Sequence, residues 1–270
     1  MCLNLCVKIK ISCGTKNSIL STKRKRFLYF FFKQIFSISL TSMLYSVWTK
    51  DVKKGNDSLV RNSWGLAENV WVENSELVIR SERYANGTIE GYAYTSGAVT
   101  SQGKKSFGGK GNVTRVCVCA QLPSGGDGIW PAHWLMPDVS GVCWPTGGEI
   151  DIMEMVNSDG TCHGTYHWSD HCSEDHDHGD FTQMTSDWSE TYHEFAVEYD
   201  GESYVSFVLD GKIYETVNAS SGGPTMYDHP YYVLLNTAVG GPWPHPPTTK
   251  TKFPAYHRID YVRVSQVPSQ

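Results

Sequence analysis

From Trp48 onward, apolar and polar residues alternate with a spacing of two, and short runs of this kind recur as far as Val264 between breaks containing Gly or Pro. A period of two marks strands buried on one face. Val70 and Val72 alternate before Asn74-Ser75, and Leu77 and Ile79 after it, which predicts two strands around a tight turn. The runs 96–101, 113–122, 192–199, 204–209, 212–217, 231–239 and 257–264 read the same way, with Asp210-Gly211 as a two-residue hairpin turn. No segment keeps a helical period over three turns. Closely spaced strands joined by several long connections predict an all-β fold, a jelly-roll sandwich of two sheets in one domain over 48–266, with a short tail at 267–270.

One run departs from simple alternation. Thr146-Gly-Gly-Glu-Ile-Asp-Ile-Met-Glu-Met155 sets Glu149, Asp151 and Glu154 among apolar residues. In a regular strand Glu149 and Asp151 share a face and Glu154 points to the other. A bulge at Ile152 or Met153 brings all three to one face. Two Glu side chains about four strand steps apart, leaning together, then approach the separation of roughly 5 to 5.5 Å that suits a retaining glycosidase. Like charges this close cannot all ionise freely, so at least one acid keeps its proton toward neutral pH. A cation site or an incidental acidic edge explains three acids on an apolar strand less well.

The flanking residues extend this chemistry. Trp130, Ala132 and Trp134 share a face in an extended chain and precede the acids, and Trp144 lies five residues ahead of Glu149. Cys162-His-Gly-Thr-Tyr-His-Trp168 predicts a strand beside the acidic one, with His163, Thr165 and His167 on one face. His167 is then a candidate to hydrogen-bond the acids or the sugar. The segment His171–Asp180 alternates His and Asp without the spacing of a zinc motif and reads as a solvated loop.

Composition narrows the partner. Nine Trp, fifteen Tyr and 25 Gly fit a surface that stacks on sugars, and a net charge of −5 argues against nucleic acid. Cys117, Cys119, Cys143, Cys162 and Cys172 are an odd set, predicting disulfide pairing with one thiol left over. Four glycosylation sequons, at Asn56, Asn86, Asn112 and Asn218, point with the cysteines to a secreted or cell-surface glycoprotein. Residues 1–47 carry Lys23-Arg-Lys-Arg26 before apolar runs at 27–32 and 35–40. They read as a leader outside the fold: a secretion signal, an anchor that would bring the chain to a membrane, or an artefact of the gene start.

Gly148-Glu-Ile-Asp-Ile-Met-Glu154, with Trp130-Pro-Ala-His-Trp134, His163-Gly-Thr-Tyr-His167, Asn236-Thr-Ala-Val-Gly-Gly-Pro-Trp243 and Ile259-Asp-Tyr-Val-Arg-Val264, resembles the ordered signature of glycoside hydrolase family 16. The likeness is to the branch containing laminarinase-type endo-1,3-β-glucanases. It implies two curved antiparallel sheets, a concave glycan-binding cleft and hydrolysis of internal β-1,3 linkages with retention. By position, Glu149 resembles the nucleophile, Glu154 the acid/base and Asp151 their helper. Trp130, Trp134, Trp144, His167, Asn236 and Trp243 resemble residues that hold β-glucan. Asp260 falls where some members bind a structural Ca²⁺, and no cofactor is implied for catalysis. The family's opening strand, with its Asp/Glu-Phe pair, has no counterpart in the leader, which implies an unpaired sheet edge. A transglycosylase and a silent glucan-binding protein are the alternatives, and a monomer is expected.

Overall fold

The computed structural model describes residues 46–52, 60–85, 87–109, 111–172 and 174–269. Seventeen strands are named among them: β1 (Thr49–Asp51), β2 (Trp64–Gly65), β3 (Val70–Glu73), β4 (Glu76–Arg83), β5 (Tyr94–Ser96), β6 (Ala98–Thr100), β7 (Phe107–Gly108), β8 (Asn112–Gln121) and β9 (Ile129–Pro137). Then follow β10 (Glu149–Glu154), β11 (Thr161–Trp168), β12 (His176–Gln183), β13 (His193–Tyr199), β14 (Tyr204–Leu209), β15 (Lys212–Asn218), β16 (Pro230–Val239) and β17 (Ala255–Pro268). They form two sheets, in the order β1-β6-β16-β9-β10-β11-β12 with β7 beside β16, and β15-β14-β13-β8-β17-β4-β5-β2 with β3 beside β4.

The two predicted hairpins close through backbones at positive φ, Asn74 at 48° and Ser75 at 70°, then Asp210 at 49° and Gly211 at 79°. Two such residues in succession give the twist that antiparallel strands require. Between the sheets, Val116, Val118, Phe195, Val197 and Phe207 meet Leu135, Ile150, Met153, Val233 and Leu235, all buried. Each of these large side chains stabilises the sandwich by roughly 1.5 to 3 kcal/mol through removal from water. The core lies beneath the first sheet, whose opposite face is left to carry the site.

Three expectations need correction. The segment taken for a solvated loop contains β12, an edge strand paired residue for residue with β11 from Thr161↔Gln183 to Trp168↔His176. The final strand continues past 266, Val267 pairing with Val113 and Pro268 with Asn112, so the short tail starts inside the sheet. Cys143 and Cys172 form a disulfide, while Cys117, Cys119 and Cys162 are all buried thiols rather than a single leftover. Cys117 and Cys119 point to the outer face of the second sheet and pack with Ala196, Val208 and Tyr261. The leader, apart from residues 46 and 47, and the sequons at Asn56 and Asn86 lie outside the described residues. Among the described residues no helix is long and apolar enough to cross a membrane.

Candidate active site

The acidic strand is bulged. Against β11, Glu149 faces His167, Asp151 faces Thr165 and Glu154 faces His163, so three steps on β10 match two on its neighbour. Against β9, Asp151 faces Trp134 and Met153 faces His133, which puts the extra residue at Ile152. Ile152 and Met153 both enter the core, at 1% and 0% exposure, and Glu154 thereby returns to the face of Glu149 and Asp151. The strand is entered through Gly148 at φ +77°, where a Cβ would lie 2.6 Å from the Tyr231 hydroxyl.

Above these acids lies an open cleft of about 680 Å³, with a small recess of about 50 Å³ reaching Asn236 on its floor. Trp130 donates its indole N–H to Glu154 Oε1 at 2.9 Å. Trp144, nearly half exposed, donates to Glu149 Oε2. Trp134 is the exception among the expected sugar-stacking rings. It is 7% exposed and donates to Asn236 Oδ1 at 2.7 Å, so both serve as floor. Trp243 is 40% exposed and stands edge-on to Trp130 and His163, closing the Glu154 side with an aromatic wall.

The two glutamates have unlike surroundings. Burial, then the charge of Asp151, pushes Glu154 up to about 8, against the pull of its Trp130 hydrogen bond, His167 and Arg61. Burial and Asp151 also push Glu149 well above the usual carboxylate range, opposed by His167 and by the Trp144 hydrogen bond. Burial opposes the charge of His167, but its hydrogen bond to Asp151 and the charges of Asp151 and Glu149 outweigh this and raise it to about 10. His163, across from Glu154, is instead held below its ordinary value by burial. A cation thus stands opposite Glu149 and a neutral ring opposite Glu154. Both glutamates are held toward the protonated form, and the cation beside Glu149 is the influence that favours its ionisation over that of Glu154.

Three cleft residues went unread in the sequence. Arg61 lies over the Trp130 ring, its Cζ 5.2 Å from the centroid; a lone charge in a stretch without periodicity gave no signal. Asp175 and Asp177 line the cleft beside His167. The alternation that puts Asp177 on the inner face of β12 was visible, but without apolar residues it did not read as a strand.

His167, Asp175 and Asp177 gather three ligand-type atoms within 4.8 Å of one another. A metal there would have to displace existing bonds, because both ring nitrogens of His167 already face carboxylates. Asp260 lies on β17 in the other sheet. Its Oδ1 is buried without a hydrogen-bond partner, and burial and the charge of Glu76 raise its carboxyl. One open carboxylate oxygen suits a cation. Yet Glu76 is engaged by Tyr192 and Arg258, and among the described residues no group of three ligating side chains includes Asp260. The side chains present fall short of the six to eight oxygens of a Ca²⁺ site.

The model of an XgeA-like, catalytic GH16 domain matches residues 51–227. The chain belongs to glycoside hydrolase family 16. Among relatives in sequence, this family 16 chain is 34% identical over 226 residues to a beta-glucanase of Rhodothermus marinus, covering 78% of the chain and 74% of that protein. It is 30% identical over 243 residues to the clotting factor G alpha subunit of Tachypleus tridentatus, covering 86% of the chain but only 34% of that protein's length. Its fold matches the laminarinase catalytic domain from Thermotoga maritima with a TM-score of 0.71 and 34% identity, over 82% of this chain and 91% of that one.

Proposed function

We propose that this family 16 chain is a retaining endo-glycosidase that cleaves internal β-1,3 linkages of a β-glucan. The observation that carries the reading is the bulge at Ile152, which sets Glu154 beside Glu149 and Asp151 over an open cleft. In the first step Glu149 attacks the anomeric carbon, the glycosidic C–O bond breaks, and Glu154 gives its proton to the departing oxygen. In the second, Glu154 takes a proton from water as that water attacks the glycosyl ester and frees Glu149. Asp151, hydrogen-bonded to His167, stands between the two glutamates on the same strand face. No cofactor enters this sequence. The similarity to a beta-glucanase and to a laminarinase catalytic domain supports the choice of β-glucan.

The test is a reducing-end assay of the purified chain on β-1,3-, mixed-linkage β-1,3-1,4- and β-1,4-glucans, with product sizes read by mass. Release of oligosaccharides from β-1,3-glucan, abolished in Glu149→Ser, is the expected result. Products longer than the starting oligosaccharide would assign a transglycosylase instead, and binding without cleavage a glucan-binding protein. An extracellular, glycosylated monomer is part of the same proposal. The Cys143–Cys172 bond and the exposed sequon at Asn218 support its extracellular, glycosylated character. A structural Ca²⁺ at Asp260 would show as a rise in melting temperature on adding the ion, lost in Asp260→Asn.

A further inference from the structure

Asp151, His167 and Asp175 form a chain of two hydrogen bonds running from the middle of the acid triad to the rim of the cleft. His167 Nε2 lies 3.1 Å from Asp151 Oδ2, and its Nδ1 lies 3.0 Å from Asp175 Oδ1. A neutral imidazole carries one N–H, so a ring flanked by two carboxylates donates to both only as the cation. The second carboxylate is what requires the charge. Exposure rises along the chain, with side chains at 5%, 20% and 34% for Asp151, His167 and Asp175, so the outer aspartate is the member in contact with solvent.

Asp175 immediately precedes the first residue of β12, and three residues earlier in the chain Cys172 is bonded to Cys143. Cys143 is next to Trp144, whose indole donates to Glu149 and whose ring lies 5.9 Å from that of His167. One bond therefore joins the two segments that supply the outer partners of Glu149 and of His167. The charged groups facing His167 are Glu149 and Asp151 from β10, Asp175, and Asp177 directly across on β12, with Glu154 and Arg61 farther along the cleft.

We propose that Asp175, anchored by the Cys143–Cys172 bond, is a positioning residue that keeps His167 doubly hydrogen-bonded and cationic beside Asp151 and opposite Glu149. The inference rests on the glycosidase reading, in which Glu149 must be anionic to attack. Losing Asp175 lets His167 turn neutral at a lower pH, and above that pH Glu149 loses the cation opposite it.

The test follows the His167 imidazole by NMR titration in the full chain, beside the pH profile of kcat/KM on a soluble β-1,3-glucan. In Asp175→Ala the His167 midpoint is expected to fall by about one to three pH units. The rate should drop roughly tenfold to a hundredfold, the size of one charge-assisted hydrogen bond, with the loss growing as pH rises through the lowered His167 midpoint. Asp175→Glu should recover most of both. Asp177→Asn, which removes a neighbouring charge without breaking the bond, should move the midpoint less, and Cys143→Ser with Cys172→Ser should move it in the same direction as Asp175→Ala. An unchanged His167 midpoint in Asp175→Ala, or one matched by Asp177→Asn, overturns the proposal. The NMR readout needs no turnover, so it stands apart from the wild-type assay, whose failure on every β-glucan would remove the glycosidase reading.

Discussion

The two ends of β10 carry the same side chain and different chemistry. Glu149 lies across from His167, a cation clamped by two carboxylates, and Glu154 lies across from His163, a ring kept neutral by burial and walled by Trp243. Each glutamate also accepts one indole hydrogen bond, from Trp144 and Trp130 respectively, so that contribution nearly cancels. What sets the two glutamates apart is the cross-strand histidine each one faces. A general lesson follows: two identical acids in one cleft are best told apart by what stands opposite them.

The comparison breaks most completely when either acid is removed. Glu149→Ser and Glu154→Ala should each lower kcat on β-1,3-glucan by about 10³-fold or more. An aryl glucoside with a good leaving group needs no proton, so it should restore much of the rate to Glu154→Ala and none to Glu149→Ser. Equal behaviour of the two variants on that substrate would erase the assignment. Inserting one alanine between Met153 and Glu154 comes next. With a further residue in the strand Glu154 turns into the core, and activity should fall to the level of Glu154→Ala while the melting temperature drops, because a carboxyl then takes a buried slot.

The indoles sharpen the comparison at smaller amplitude. Trp144→Phe and Trp130→Phe each remove one hydrogen bond to a carboxylate, costing roughly 1.5 to 3 kcal/mol of its ionised form. In Trp144→Phe the acidic limb of the pH profile should move up, because Glu149 protonates more readily. In Trp130→Phe the alkaline limb should move up, because Glu154 holds its proton longer. Stability gives the smallest signal. Glu154 titrates near 4.5 when unfolded and about 8 in the folded chain, so its contribution is complete below pH 4.5 and is lost as pH rises through 8. His167, raised to about 10 from 6.5, loses its contribution in the same direction between those values. Glu154→Gln should therefore melt higher than wild type at pH 8 to 9, by about 2–4 °C per kcal/mol released, and gain nothing at pH 4.

How far all this was legible depended on the kind of signal. Strands with one apolar face announced themselves: β14 falls on Tyr204–Leu209 as its alternation predicts, and the Asp210-Gly211 turn closes it. The bulge was legible too, since only an extra residue reconciles three acids with one face. By contrast β12 is exposed along almost its whole length and offers no apolar stripe, so its cleft-lining Asp177 and the Asp175 just before it looked like loop. Trp134 read as a sugar platform, because spacing gives the face a ring points to and says nothing of its depth. Its slot under Leu234 and Tyr232 depends on β16, a hundred residues later in the chain. Pairing of Cys143 with Cys172 likewise depends on how two connecting segments meet, which no local pattern encodes.

Gly148 puts a limit on how this site can be altered. Its missing side chain leaves room for the hydroxyl of Tyr231 and the ring edge of Tyr227, each within 3 Å of where a methyl group would sit, with Tyr166 just behind. Even alanine there would have to lift the backbone off three phenols, and the adjoining nucleophile would travel with it. In a saturation library at this codon, only the parental glycine should return among active clones, whereas Phe181, exposed on the rim, should accept many replacements.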